Sequence, residues 1–153
     1  MPQSVYPPLN MHFAVEFHSK DLKADISFQS VQGLQVRVDE TENKKLINYQ
    51  NIILKRAYQP HSKLVKWCMD VIHNRKKLPV SLTIKLLNAN HEMLSGWQVE
   101  SAMPVAWGVE DLHAQETKIL IETIELAYLR FYVLDKKGNV IAPPPSPELP
   151  PRH

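Results

Sequence analysis

Alternation of apolar and polar residues with a period of two recurs along this 153-residue chain and restricts its fold more than any other feature. Successive side chains of a strand point to opposite faces, so such alternation predicts strands that bury one face. In "MHFAVEFH", apolar side chains occupy the odd positions of 11–17, and in "VSLTIKLL" they occupy the even positions of 80–86. The pattern predicts a mainly β protein, an antiparallel barrel or sandwich of about seven strands.

Two further stretches extend this prediction. A second alternating stretch is divided by Gly33, a residue that permits a sharp bend, and Leu34, Val36 and Val38 are predicted to face the core. The polar segment 39–50 is predicted to be a loop. The segment 115–134 is rich in β-branched residues and predicts one or two strands with apolar residues on both faces. A short strand at 139–141 is expected after them.

A single helix is predicted over residues 62–76, where apolar residues recur at helical spacing. Ser62 is the predicted N-cap, and Pro79 is expected to prevent the helix from continuing. Cations at 75–77 are placed to interact with the C-terminal dipole. The predicted buried stripe consists of Leu64, Trp67, Cys68, Val71 and Ile72.

The segment "SGWQVESAMPVAWGV", residues 95–109, alternates like a strand but contains Pro104 between two tryptophans. Proline cannot donate to a sheet ladder, so a strand that contains it is expected to break or to lie at an edge. Amphipathic side chains beside such a break are typical of interfaces, and Trp97 and Trp107 are candidates for interface or core packing alike. We interpret the segment as an edge between subunits.

Composition excludes several classes of function. A formal net charge of +2 is too small to indicate nucleic-acid binding, and Cys68 is the only cysteine, which excludes an intrachain disulfide. The first residues contain neither a basic nor an apolar signal region, and no window is apolar enough to span a membrane. A protein that folds in the cytoplasm, without a membrane anchor, is therefore expected.

No catalytic, cofactor-binding or metal-binding residue is predicted. Cys68 lies on the apolar stripe of the helix and is expected to be a buried core residue rather than a nucleophile. His12, Glu16 and His18 share a strand face but lack a third imidazole or carboxylate placed nearby by sequence, so a solvated face is favoured over a metal site. Glu122 and Glu125 are expected on opposite strand faces.

The proline-rich end, residues 143–153, forms a tail that follows the domain expected at 1–142. Its "PELPPR" fits a pattern that proline-binding modules accept, although a stiff polyproline-like spacer is the favoured interpretation.

Several short motifs occur in one order: "FQSVQGL", "NIILKRA", "LVKWCMDVI", "VSLTIKLLNANHEMLSGWQVESAMPVAW" and "LHAQETKILIETIELAYL". Over residues 11–132 this order resembles the inner tail tube protein family of contractile phage tails and phage-tail-like contractile injection systems, which is related to the type VI secretion tube protein. The resemblance implies a tail-tube-like β-barrel with one flanking helix. It also implies that the protein is no enzyme and needs no cofactor.

The resemblance further implies a structural subunit of a homo-hexameric ring, with rings stacked into a hollow conduit for cargo delivery. The implied partners are adjacent tube rings, the sheath protein, and the baseplate hub and spike proteins, with nucleic acid only as cargo in the lumen. Assembly in the bacterial cytoplasm and incorporation into a phage-tail-like particle, with release as one option, are implied too. The interface candidates carried over from the family pattern are Gly33, Leu34, Lys55, Arg56, Trp97, Pro104, Trp107, Glu122 and Glu125.

The chain departs from the family pattern in three ways. The loop after residue 39 lacks the glycine-rich segment common in the family, Ala57 and Ala106 replace a usual glycine and lysine, and the proline-rich tail is additional. Loop and tail are candidates for contacts between rings. These departures slightly favour the tube-initiator ring on the baseplate over the repeating ring. The alternative from another class is a monomeric β-barrel that binds a small apolar ligand.

Overall fold

The computed structural model of the protein describes residues 11–23, 27–115 and 118–145. Within these ranges the chain forms nine β-strands and one α-helix. In chain order they are β1 His12–Phe17, β2 Ser30–Gln32, β3 Val36–Thr41, β4 Lys44–Tyr49, β5 Ile52–Ala57, α1 Lys63–Ile72, β6 Val80–Leu87, β7 Met93–Val109, β8 Ile121–Ala127 and β9 Arg130–Leu134. No described helix has the length and apolar character needed to span a bilayer.

Seven strands form one antiparallel sheet in the order β1-β6-β7-β8-β5-β2, with β9 also paired to β7. The mainly β, antiparallel class predicted from the sequence is thereby confirmed. The sheet is not closed into a barrel, because closure requires the two end strands to pair and the described β1 and β2 each pair with one strand only. Among the described strands the sheet is therefore open.

The long strand β7 joins the two parts of this sheet. Residues 93–102 pair with β6, residues 96–100 also pair with β9, and residues 103–109 pair with β8. Pro104 does not break the strand; it lies beside an irregularity in register between Pro104 and Ala106. Pairing with β6 stops at Ala102, so the described sheet covers only one side of β7 around Pro104. A proline, which has no backbone N–H, is tolerated at a position where the strand is paired on one side only.

The inner face of the sheet and the helix enclose one apolar core. Burial alternates along β5 and β8, which places Leu54 and Ile124 in this core, as the period of two predicts. The helix contributes Leu64, Trp67 and Cys68 from its predicted stripe, and Ser62 caps its N-terminus by accepting a hydrogen bond from the Val65 amide. These predictions are confirmed.

The helix is shorter than predicted and ends at Ile72 rather than at residue 76. The amide of His73 makes the last ordinary helical bond, to the carbonyl of Met69, and the amide of Asn74 donates to the same carbonyl. Arg75 then adopts a φ of 53°, outside the helical region. The cations at 75–77 therefore follow the helix.

Segment 39–50 is not the predicted loop, because it belongs to a β-hairpin that strands β3 and β4 form. Strands β3 and β4 pair only with each other in the described sheet, and Glu42 and Asn43 between them both have positive φ, as a tight hairpin turn requires. Val36 and Val38 are 47% and 61% exposed, so the prediction that they face the core is wrong. Alternation indicates which residues share a face but not what covers that face.

The segment 115–134 gives two strands, β8 and β9, as predicted, although residues 116 and 117 lie outside the described part. The short strand expected at 139–141 is reduced to a single bridge between Leu134 and Val140. Residues 1–10, 24–26 and 146–153 are also outside the described ranges, so the tail prediction rests on sequence beyond residue 145.

Gly33 provides the predicted bend, and a side chain there has no room. Its φ is 94°, and a Cβ atom would lie 2.0 Å from the backbone oxygen of Asn51. We expect Gly33→Ala to lower the free energy of unfolding by at least about 2 kcal/mol, measured by urea denaturation.

Gly138→Ala is the matched control, because Gly138 has a φ of 84° but nothing lies within 4 Å of the position that a Cβ atom would occupy there. Gly138→Ala introduces the backbone strain of a positive φ without a steric clash, so the free energy of unfolding is expected to fall by about 1 kcal/mol. Equal losses at the two glycines would contradict the importance of the close approach to Asn51.

Candidate subunit interface

A buried ion pair lies at the centre of the residues that the sequence singled out. Arg56 on β5 and Glu122 on β8 are directly opposite in the strand register, and their side chains are 1% and 0% exposed. The Nε–H of Arg56 donates to Oε1 of Glu122. Both residues occupy inward positions of their strands, so the alternation that buries Leu54 and Ile124 also buries this pair.

Further hydrogen bonds connect the pair to β7 and to the helix. The indole N–H of Trp107 donates to Oε2 of Glu122 at 2.8 Å, and Nη2 of Arg56 donates to Oγ of Ser62 at 2.5 Å. Since Ser62 is also the N-cap of α1, one network joins β5, β8, β7 and the helix. The guanidinium carbon of Arg56 lies 5.6 Å from the ring centroid of Phe28. Every buried polar side-chain atom in the described residues has a partner.

Lys55 and Glu125 lie on the other face of the same strand pair. Both are half-buried, and Glu125 accepts a hydrogen bond of 2.9 Å from the side-chain amide of Asn51. The prediction that Glu122 and Glu125 point to opposite faces is confirmed. Only Glu125 therefore remains accessible to a neighbouring molecule, while Glu122 acts inside the chain.

The remaining predicted interface residues are dispersed. Leu34 and Trp97 are half-buried and pack against the core, and Pro104 is buried. Trp107 packs its ring 5.9 Å from that of Tyr58 besides bonding to Glu122. The structure thus brings Arg56, Trp107 and Glu122 together, and separates them from Trp97 and Gly33.

The hairpin β3–β4 carries the surface that sequence reasoning missed. Val36, Val38, Ile47 and Tyr49 occupy one face of it, because Val36 pairs with Tyr49 and Val38 with Ile47. At its base, the Tyr49 ring packs 5.2 Å from that of Phe131, but Val38 and Ile47 are 61% and 65% exposed. The alternation of Val36 and Val38 is the sequence signal for this face, although alternation alone favours burial in the core. We call these four residues the hairpin face.

The sheet also exposes unpaired strand edges. Within the part of the chain that the structure describes, β1 pairs only with β6 and β2 only with β5, and residues 103–109 of β7 have a partner on one side only. Unpaired edges in a chain of this kind are sites where another strand can add.

The predicted non-catalytic residues have ordinary structural partners. Cys68 is fully buried, and its burial raises the pKa of the thiol to about 12, which leaves it without the thiolate that a nucleophile needs. His12, Glu16 and His18 bond to His91, Lys85 and Thr83, respectively. Across residues 11–23, 27–115 and 118–145 no three His, Cys, Asp or Glu side chains cluster closely enough to hold a metal ion.

Comparison with known proteins gives a consistent result. The model of the family described as T4-like virus tail tube protein gp19 matches residues 9–132. No curated protein sequence matches the chain.

Solved structures share the fold. A chain of the PVC sheath-tube complex in the extended state, from an extracellular contractile injection system, is 22% identical with a TM-score of 0.66, covering 86% of this chain and 93% of that one. A chain of the anti-feeding prophage baseplate is 22% identical with a TM-score of 0.64, covering 90% and 99%. Hcp1 from Flavobacterium johnsoniae is 11% identical with a TM-score of 0.55, covering 84% and 97%.

The buried pair gives a sharp stability prediction. Glu122→Gln removes the buried carboxylate that pairs with Arg56 across β5 and β8, so we expect the free energy of unfolding, measured in urea, to fall by about 3–5 kcal/mol. The double variant Arg56→Met, Glu122→Leu is expected to recover much of this loss, because it removes both charges from the core.

Glu100→Gln is the control for a surface pair, since Glu100 accepts from Arg130 at 2.9 Å with side chains 26% and 48% exposed. Its loss is expected to stay below about 1 kcal/mol. A similarly small loss for Glu122→Gln would contradict the role given to the buried network.

Proposed function

Because the chain belongs to the T4-like tail tube protein family, we propose that it is a hexameric ring subunit of an inner tube. The tube proteins of this family are parts of contractile injection systems. In the ring, copies are related by a rotation that closes, and a second, different contact stacks the ring on its neighbour so that growth is axial. The hollow interior then serves as the conduit for cargo.

The observation that carries this proposal is the exposed apolar hairpin face. An isolated two-stranded hairpin is marginally stable in water, and this one is anchored to its own core only at its base, through Tyr49. Beyond the base, Val38 and Ile47 present apolar area to solvent, which becomes stabilising when a second copy covers it. The hairpin is therefore suited to the contact between stacked rings.

The two opposite sides of the sheet supply the contact within the ring. Strand β1 lies at one end of the four strands β1-β6-β7-β9, and β9, with residues 140–141 bonded beside its last residues, lies at the other. A heterologous contact joins different surfaces of two copies, so edges on opposite sides can repeat around a closed ring. Pairing of this kind covers edges that otherwise promote aggregation.

We further propose that this ring is the tube initiator on the baseplate. The support comes from the segment 39–50 and the tail 143–153, in which the sequence departs from the family pattern. Sheath protein, baseplate hub and spike proteins, and the next tube ring are the partners in this proposal, with assembly in the bacterial cytoplasm. Hub and spike partners distinguish the initiator from a repeating ring.

The alternative of a monomeric binder of small apolar ligands needs an internal pocket. The inner face of the described sheet is instead filled by core side chains such as Leu54, Leu82 and Ile124, which are all fully buried. No observation favours this alternative.

Electron microscopy of the purified chain at high concentration tests the ring, and six-fold rings are the expected result. A chain that stays monomeric and is missing from every sheathed particle of its host would overturn the proposal. In the native particle, a label on this chain at a single ring beside the baseplate supports the initiator. Label along the whole tube would assign the chain to the repeating ring instead.

Ile47→Lys tests the hairpin face. We expect stacked tubes to be lost in electron micrographs while single rings persist, because burying a lysine charge against an apolar neighbour costs free energy. Urea denaturation of the monomer is expected to change by less than about 0.5 kcal/mol, since Ile47 is 65% exposed.

Leu46→Lys is the matched control, because Leu46 is 55% exposed, adjacent in sequence and on the opposite face of the hairpin. It is expected to leave stacking intact. Stacking that survives Ile47→Lys would rule out the hairpin face as the contact between rings.

A further inference from the structure

A groove of about 450 Å³ lies where the chain leaves β1, beside the helix and the segment that enters β6. Its apolar floor is formed by Leu22, Trp67, Leu78 and Pro79. The indole N–H of Trp67 already donates to the carbonyl of Leu78 at 2.8 Å, which fixes the ring in place. The groove therefore offers a rigid, preformed apolar surface.

Charges of both signs border this floor. The charged atoms of Asp21 and Lys63 are 3.7 Å apart, and their side chains are 79% and 67% exposed. Because such an exposed ion pair is weak, either side chain can pair with another charged group at little cost in free energy. Lys66 and Asp70, one turn further along the helix, pair at 2.7 Å. A ligand with an apolar ridge and separated charges of both signs would match this rim.

The proline-rich tail has this chemistry. Residues 143–153 read "PPPSPELPPRH", with prolines at 144, 147 and 150 and with Glu148 and Arg152. A polyproline II helix has three residues per turn and rises about 3.1 Å per residue, so in that conformation those prolines would lie on one ridge and eleven residues would span roughly 34 Å. Such a segment is pre-organised and loses little entropy on entering an apolar groove.

The route of the chain directs the tail away from its own groove. Val140 bridges Leu134 and the Ile141 amide donates to the carbonyl of Val133, so the chain here runs beside β9 and antiparallel to it. Residues 140–141 therefore run in the direction of the Arg130 end of β9, where Arg130 is opposite Glu100. The groove is near that level, because β1 ends where Phe17 pairs with Leu82, and Leu82 pairs with Val99.

Tail and groove nevertheless lie at opposite edges. Across the strands β1-β6-β7-β9, the groove flanks the end of β1, and the tail leaves beyond β9. Two complementary elements at the same level but on opposite edges are the arrangement that a repeated heterologous contact requires.

We propose that the tail of one copy binds the groove of the laterally adjacent copy in the same ring, and this inference rests on the proposed ring. The proline ridge packs on Leu22, Trp67 and Pro79. Arg152 pairs with Asp21, and Glu148 pairs with Lys66 of the helix. The tail thus acts as a clasp between subunits, added to a contact that the strand edges already make.

Crosslinking between full-length single-cysteine additions tests the clasp. Lys63→Cys at the groove and His153→Cys in the tail are mixed and treated with a short bismaleimide, and a covalent dimer is expected. The native Cys68 does not interfere, because it is fully buried. Lys45→Cys mixed with His153→Cys is the control, since Lys45 is also an exposed lysine, 76% exposed, but on the hairpin; its dimer yield is expected to be several-fold lower.

Charge exchange tests the specific pairing. Arg152→Asp in the tail variant is expected to reduce the dimer yield several-fold, and Asp21→Arg in the groove variant is expected to restore it. The double variant Lys63→Cys, His153→Cys reports docking within one chain, and a crosslinked monomer as its main product would overturn the proposal. So would a dimer yield equal to the Lys45→Cys control.

Electron microscopy of the same samples separates this inference from the proposed function. Rings that form without the specific crosslink reject the clasp and leave the ring intact. A specific, charge-dependent crosslink without closed rings supports the clasp and rejects the hexameric assembly.

Discussion

The buried pair of Arg56 and Glu122 is the interaction on which the rest of the structure depends. Removing two charges from water is costly, and hydrogen bonds from Trp107 to Glu122 and from Arg56 to Ser62 help to offset that cost. Those same bonds fix β5 and β8 in register and seat the start of the helix against them. An apolar pair of similar size could pack here, but it would not specify which strand residues meet.

Around this buried pair, strand edges and apolar side chains at the periphery of the described structure are left exposed. The described end strands β1 and β2 lack second partners, and the hairpin face exposes Val38 and Ile47. These are costly features for a solitary chain, since they expose apolar area and unsatisfied edges. They are ordinary features of a subunit whose neighbours complete it. Rigidity at the centre and incompleteness at the rim together suit a protein that builds a tube.

Local patterns predicted the elements better than their surroundings. The alternation in β1 and β6, the N-cap at Ser62 and the buried stripe of Trp67 and Cys68 were readable because each depends on neighbours a few residues apart. Val36 and Val38 show the same alternation, yet they lie on a hairpin outside the main sheet. The pattern correctly indicates a strand, but it does not contain the strand's partner. The predicted end of the helix was also wrong, because the backbone leaves the helical region before residue 76, with a φ of 53° at Arg75.

The sequence by itself determined the class of fold, most of the strands, the single helix and the family resemblance, because periodicity and short motifs are local properties. Only the tertiary structure decided that Arg56 meets Glu122, which lies 66 positions away, and that Trp107 joins them. It also decided that the sheet stays open and that Glu125, unlike Glu122, faces outward. Such pairings depend on strand register and sheet order, which arise from the packing of the whole chain.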